Sequence, residues 1–247
     1  MLILVSNDDG IYSDGIRTLA DKLKKFARVV VVAPDREQSA SSHSITLHRP
    51  LRVQQVQKNY YAVSGTPTDC ITLGVNEILK KKPDLIVSGI NRGANLGDDV
   101  HYSGTVSAAM EGVIMGIPSM AVSLVTRSDN PRYTHAANFA TKVAKRVVKN
   151  SLPKGVMLNI NVPDLPKEKI KGYQICILGK RNYSDVIVEK IDPRGKKYYW
   201  IGGDEVGADN IPGSDCNAIA AKYISITPLN VNLTEFPFLE NLRNWKI

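Results

Sequence analysis

Residues 83–125 read PDLIVSGINRGANLGDDVHYSGTVSAAMEGVIMGIPSMAVSLV, and their order decides the fold. Leu85-Ile86-Val87 is a short apolar run, the mark of a strand covered on both faces. A Gly- and Asn-rich loop follows, from Ser88 to Asp99. Ser103 to Met115 then carries small and apolar residues at helical spacing, and Pro118 to Val125 returns to a strand. Strand, loop, helix and strand in this order make a crossover unit with parallel strands.

The alternation extends in both directions. Residues 1–6 form a strand that ends in the turn-like Asn7-Asp8-Asp9-Gly10. Asp14 can cap a helix whose Ile16, Leu19, Ala20 and Leu23 share one face. Val29 to Ala33 is a second buried strand, stopped by Pro34, and residues 45–63 alternate like an antiparallel excursion. Thr66-Pro67-Thr68-Asp69 starts a helix, with a capping hydroxyl, Pro at the first helical position and an acid in the first turn. A helix over Arg132 to Lys149 leads to Val156–Val162, read as the last core strand. Residues 1–163 are thus an α/β core with a mostly parallel wound sheet. Residues 164–247 form a β-rich C-terminal appendage, with short strands at 171–178, 185–190, 197–201 and 221–227 standing apart from that sheet. A helix over 236–245 closes the chain.

Composition narrows the function. The 247 residues are 43% hydrophobic and 23% charged, ordinary globular usage, which excludes wholesale disorder. No apolar run reaches membrane-spanning length, and the start MLILVSNDDG lacks the basic region of a signal peptide. Cys70, Cys176 and Cys216 are far apart, form no CxxC pair and fit a reducing cytoplasm. The net charge of +8 invites a nucleic-acid reading. Lys142, Lys145, Arg146 and Lys149, however, share a helix with Val143 and Val147 and read as its solvated face. Nucleic-acid polymers are therefore not the expected partners, whereas a positive field suits a small phosphorylated substrate.

Ligands of an open parallel sheet bind beyond the carboxyl ends of its strands. Asp8 and Asp9 lie there as adjacent carboxylates, which repel unless a cation neutralises them. Oxygen ligands favour Mg²⁺, Mn²⁺ or Ca²⁺; the competing reading of Asn7–Gly10 is a solvated turn. The segment APDREQSASSHSIT after the second strand is dense in hydroxyls that can complete an oxygen-only shell. His43 and His48 fit no metal-ligand spacing. Asn91 and Asn95 offer neutral oxygen and amide groups. Ser103-Gly104-Thr105 opens a helix, where free N–H groups, hydroxyls and the dipole suit a phosphate; the competing reading is simple capping by Ser103. Gly104 leaves room for that phosphate, and a larger residue there is expected to exclude it while sparing the distant carboxylates. No P-loop, dinucleotide fingerprint or GxSxG elbow is present.

SNDDG at 6–10, APDREQSA at 33–40, GTPTDC at 65–70, the SGIN-GAN-LGDDV-YSGT series across 88–105 and SITPL at 225–229 resemble the SurE (survival protein E) family of nucleotidases. The resemblance implies a Rossmann-like core and a divalent-metal phosphatase acting on nucleoside 5′- and 3′-monophosphates; whether short polyphosphate is also cut stays open at this point. It implies Asp8, Asp9, Ser39 and Asn95 as ligands of one Mg²⁺ or Mn²⁺ per subunit. It also implies homodimers or homotetramers that exchange C-terminal segments. On this reading the metal polarises a phosphoryl oxygen, while Asn91 and Ser103 to Thr105 hold the phosphate. Asp8 acts as base toward an attacking water, or else carries the phosphoryl group as an aspartyl-phosphate. A protein of another class, a non-catalytic sensor of a phosphorylated metabolite, would share the pocket without turning its ligand over.

Overall fold

The structure, a computed structural model, describes residues 1–184, 186–202 and 205–245; residue 185 of the expected strand 185–190 lies outside them. Strand β1 (Leu2–Ser6) leads to helix α1 (Asp14–Leu23) and β2 (Arg28–Pro34). The expected excursion is the antiparallel pair β3 (Val53–Gln57) and β4 (Tyr60–Val63), and β4 joins the sheet parallel to β2. Helix α2 (Pro67–Leu73), with a π-helical turn over Gly74–Leu79, returns the chain to β5 (Leu85–Arg92). Helix α3 (Gly104–Ile114), β6 (Ser119–Val125), α4 (Tyr133–Asn150) and β7 (Val156–Pro163) complete the run predicted from residues 1–163.

The alternation along β1 divides the core. Ile3 and Val5 pack with Ile16, Leu19 and Leu23 of α1 and with Ala136, Ala140 and Val147 of α4. Leu2 and Leu4 face the opposite side, against Cys70 and Ile71 of α2 and Ala108 of α3. Each fully buried Leu or Ile side chain contributes about 1.5–3 kcal/mol, so the two layers hold the sheet between them.

Two local details differ from the sequence reading. Ser13, not Asp14, occupies the N-cap of α1, and its hydroxyl accepts a hydrogen bond from Asn7 Nδ2 at 2.8 Å instead of capping the helix. Helix α2 follows the expected pattern. Thr66 and Asp69 form a reciprocal capping box, and Asp69 also accepts from the Thr46 N–H at 3.0 Å, tying the hydroxyl-rich loop to the core.

The tail departs further. Strands β8 (Tyr173–Ile175), β9 (Arg181–Tyr183), β10 (Val186–Ile191), β11 (Lys197–Gly202), β12 (Glu205–Ala208) and β13 (Ile224–Asn230) follow β7, with helices α5 (Asp215–Ala220) and α6 (Phe236–Arg243). The pairs β10–β11 and β9–β12 stand in small separate sheets, as expected of an appendage. Strands β13 and β8, by contrast, extend the central sheet, whose order is β3-β4-β2-β1-β5-β6-β7-β13-β8. Strand β7 is therefore not the last core strand. Strand β13 runs antiparallel to it, with Ile226 opposite Ile160, because Ile224 and Ile226 bury on the same core as β7. The strand order reverses at β1, with β2 on one side and β5 on the other, both parallel to it, the crevice where open α/β sheets bind ligands.

Candidate active site

The turn after β1 is built by Asn7, fully buried, whose side-chain Nδ2 donates to Gly10 O at 3.1 Å and to Ser13. This turn points Asp8 and Asp9 out of the sheet edge in different directions. Asp8 is only 5% exposed and faces the start of α3, where the Thr105 hydroxyl donates to its Oδ1. Asp9 faces the end of β5 and accepts from the Arg92 N–H at 3.0 Å.

Burial raises the pKa of Asp8, against hydrogen bonds from the Thr105 side chain and backbone that lower it. Asp9 is pushed up to about 7, first by burial and then by the negative charge of Asp8. Glu37 adds to both shifts, a third carboxylate that the sequence reading passed over in the loop after β2, where hydroxyls drew the attention. Two adjacent carboxylates with raised pKa values, Asp8 buried and Asp9 half-buried, are poised either to keep a proton or to receive a cation.

The same edge collects the other expected residues. The Gln38 N–H donates to the Asp8 carbonyl at 2.8 Å and brings Ser39 to the site; Ser39 is exposed, and its hydroxyl donates to Glu37 at 2.6 Å. Asn95 is 6% exposed. Asn91 donates one amide hydrogen to Gly93 O at 3.1 Å. Ser103 caps α3, its Oγ accepting from the Val106 N–H at 3.1 Å, while its own hydrogen stays available to a ligand. Thr105, expected to hold phosphate, directs its hydroxyl to Asp8.

Gly104 corrects one expectation. The carboxylates are not distant from it: a Cβ there would lie 2.7 Å from Ser41 Oγ, 2.9 Å from Asp8 Cβ and 3.1 Å from Asp8 Oδ2. Helix α3 can approach the turn after β1 only because this side chain is missing. Sequence reasoning also missed Asp215 of α5, fully buried, which accepts from the N–H groups of Gly97 at 3.0 Å and Gly179 at 2.7 Å. No spacing links residues 97 and 215; only the return of the tail to the sheet brings them together.

Among the described residues no three His, Cys, Asp or Glu side chains gather into a metal-binding group. A cation here must take neutral oxygens beside the two aspartates. The oxygen-only set Asp8, Asp9, Ser39 and Asn95 suits a hard divalent ion.

The chain is similar to known proteins of one family. The family model described as survival protein SurE matches residues 3–185. The 5′-nucleotidase SurE of Geotalea uraniireducens is 52% identical over 247 residues, covering 100% of both chains. That of Geobacter sulfurreducens is 51% identical over 247 residues, covering 100% of this chain and 94% of its own. The crystal structure of a SurE protein from Aquifex aeolicus superposes with a TM-score of 0.89 at 44% identity, covering 98% of each chain.

Two expectations follow from the geometry. A carboxyl whose folded pKa rises from 3.8 to about 7 contributes most below the lower value, and that contribution is lost as pH climbs through the higher one. Without divalent cations, Asp9→Asn should therefore melt above the wild type, by a margin larger at pH 8 than at pH 5. An equal margin at both, measured by thermal unfolding in EDTA, would contradict the burial of charge at Asp9. Gly104→Val should destabilise the fold by about 1–3 kcal/mol through overpacking. It should also weaken both phosphate inhibition and Mn²⁺ binding, since the new side chain strikes Asp8. Unchanged Mn²⁺ affinity in a titration would refute the close approach of α3.

Proposed function

The chain belongs to the SurE family, and on that premise we propose that it is a 5′-nucleotidase, a metal-dependent phosphatase that hydrolyses nucleoside 5′- and 3′-monophosphates to nucleoside and phosphate. Short polyphosphate is a further substrate of the same chemistry. One observation carries the reading. The start of α3, an anion-binding helix end, lies against the buried carboxylate of Asp8, next in the chain to Asp9, so a phosphate and a divalent ion would share one small space.

Asp8, Asp9, Ser39 and Asn95 would hold one Mg²⁺ or Mn²⁺ per subunit. When bound, the ion supplies Lewis-acid polarisation of a phosphoryl oxygen and charge neutralisation. The protein's own groups do the rest. The N–H groups opening α3, the Ser103 hydroxyl and the free amide hydrogen of Asn91 hold the phosphate and offset charge that builds on it in the transition state. Thr105 fixes the Asp8 carboxylate through Oδ1 and leaves Oδ2 turned toward Gly104. From that position Asp8 takes the proton of the attacking water at Oδ2. The alternative, attack by Asp8 itself, would leave a phosphorylated aspartate in a single-turnover quench.

Residues 1–163 then act as the catalytic core and residues 164–247 as an extension that serves assembly. The β10–β11 hairpin supports this, with Ile187 69%, Trp200 64% and Ile201 92% exposed. Faces so apolar seek a partner. The protein would work in the cytoplasm as a homodimer or homotetramer. All three cysteines are free and buried, and no helix of the described residues is long and apolar enough to cross a membrane.

Phosphate release from AMP and GMP with Mn²⁺, abolished by EDTA and restored by excess metal, is the expected result; release that survives EDTA would overturn the metal assignment. Light scattering at micromolar concentration should give at least twice the 27.1 kDa chain mass; a monomeric mass would contradict the assembly reading.

A further inference from the structure

Three buried polar side chains of the central sheet, Ser123, Asn159 and Asn161, converge on Asn95. We infer that Ser123 and Asn161 are positioning residues that turn the Asn95 side-chain oxygen toward the metal ion, an inference that rests on Asn95 being a ligand as proposed above.

The geometry is specific. The Asn95 N–H donates to Asn161 Oδ1 at 2.9 Å, and the Asn95 carbonyl accepts from Asn161 Nδ2 at 2.9 Å and from Asn159 Nδ2 at 2.8 Å. A backbone N–H can only donate and a carbonyl can only accept, so the Asn161 amide has one orientation that satisfies both. The Asn95 Nδ2 donates to Ser123 Oγ at 2.7 Å. Its Oδ1 is then the one polar atom of Asn95 with no hydrogen-bond partner among the described residues.

An amide has two ends, and only one can ligate a cation. A hydroxyl can accept or donate, so Ser123 does not forbid the flipped amide by itself. By accepting from Nδ2 it gives that orientation a bond and leaves Oδ1 free for a cation. Asn161 complements this by fixing the backbone from which the side chain springs. Both residues sit on the central sheet, on strands β6 and β7, with Ser123 directly opposite Asn161. Both are fully buried, between the apolar pairs Val122 and Leu124 and Ile160 and Val162. Polar side chains at such positions cost stability unless bonded. Both bonds of the Asn161 amide go to Asn95. A loop residue thereby acquires the rigidity of two core strands, as metal ligands held by outer hydrogen bonds do.

The test is Mn²⁺ binding followed by the electron paramagnetic resonance signal of the free ion, beside kcat at saturating Mn²⁺ and melting in EDTA. Ser123→Ala removes one oxygen and leaves the strand. It should raise the Mn²⁺ Kd about ten-fold, with kcat at saturating metal and the metal-free melting temperature little changed. Ser123→Thr, which keeps the hydroxyl, should restore affinity. Asn161→Ala should raise the Kd at least as much. If both alanine variants bind Mn²⁺ normally while Asn95→Ala binds it weakly, the inference fails and the ligand assignment stands. If Asn95→Ala also binds normally, the ligand assignment itself has failed. A lower melting temperature with unchanged Kd marks a purely structural role and overturns the inference.

Discussion

The site depends on how closely the start of α3 approaches the turn after β1. A helix end carries unpaired N–H groups and a partial positive charge, and a buried carboxylate carries the opposite need. Asp8 meets Thr105 there, and the missing side chain of Gly104 sets the distance. The residues around this contact keep it in place. Asn7 shapes the turn, Gln38 ties the Asp8 carbonyl to the loop after β2, and Ser103 caps the helix. Moving α3 outward by one methyl group would release Asp8 and open the phosphate space together.

Asp9 pays the electrostatic cost of this arrangement. It sits beside Asp8 with part of its water removed, and its raised pKa expresses first that lost hydration and then the like charge of Asp8. Such a pair is poorly stable by itself and well matched to a divalent ion. Stability and function therefore oppose each other at this point, as is common where a protein prepares charge for chemistry. Lys142, Lys145, Arg146 and Lys149 lie exposed on the outer side of α4, the solvated face that their spacing had suggested.

The tail reaches the same chemistry by a longer route. Asp215 holds Gly97, two residues beyond Asn95, and Arg181 and Tyr183 both engage Asp99 in the following turn. The loop that carries Asn95 is thus gripped from below by β6 and β7 and from the side by segments after residue 178. The α/β core and the C-terminal extension meet at the loop that completes the proposed ligand set.

Much of this was written in local sequence. Buried strands show as unbroken β-branched runs, helix α2 announces itself in Thr66-Pro67-Thr68-Asp69, and the adjacent aspartates fall where the first strand ends. Those features act within a few residues, and short-range chemistry is legible in order. Contacts between distant segments were not. The sequence placed Gly104 near a phosphate but not against Asp8, left β13 outside the sheet and showed no tie between Asp215 and Gly97. A helix start looks the same in sequence whether it faces water or a carboxylate. A strand of seven residues pairs with whichever edge the folded chain leaves open. Tertiary packing decided both, because only it brings together groups that the chain separates by about a hundred residues.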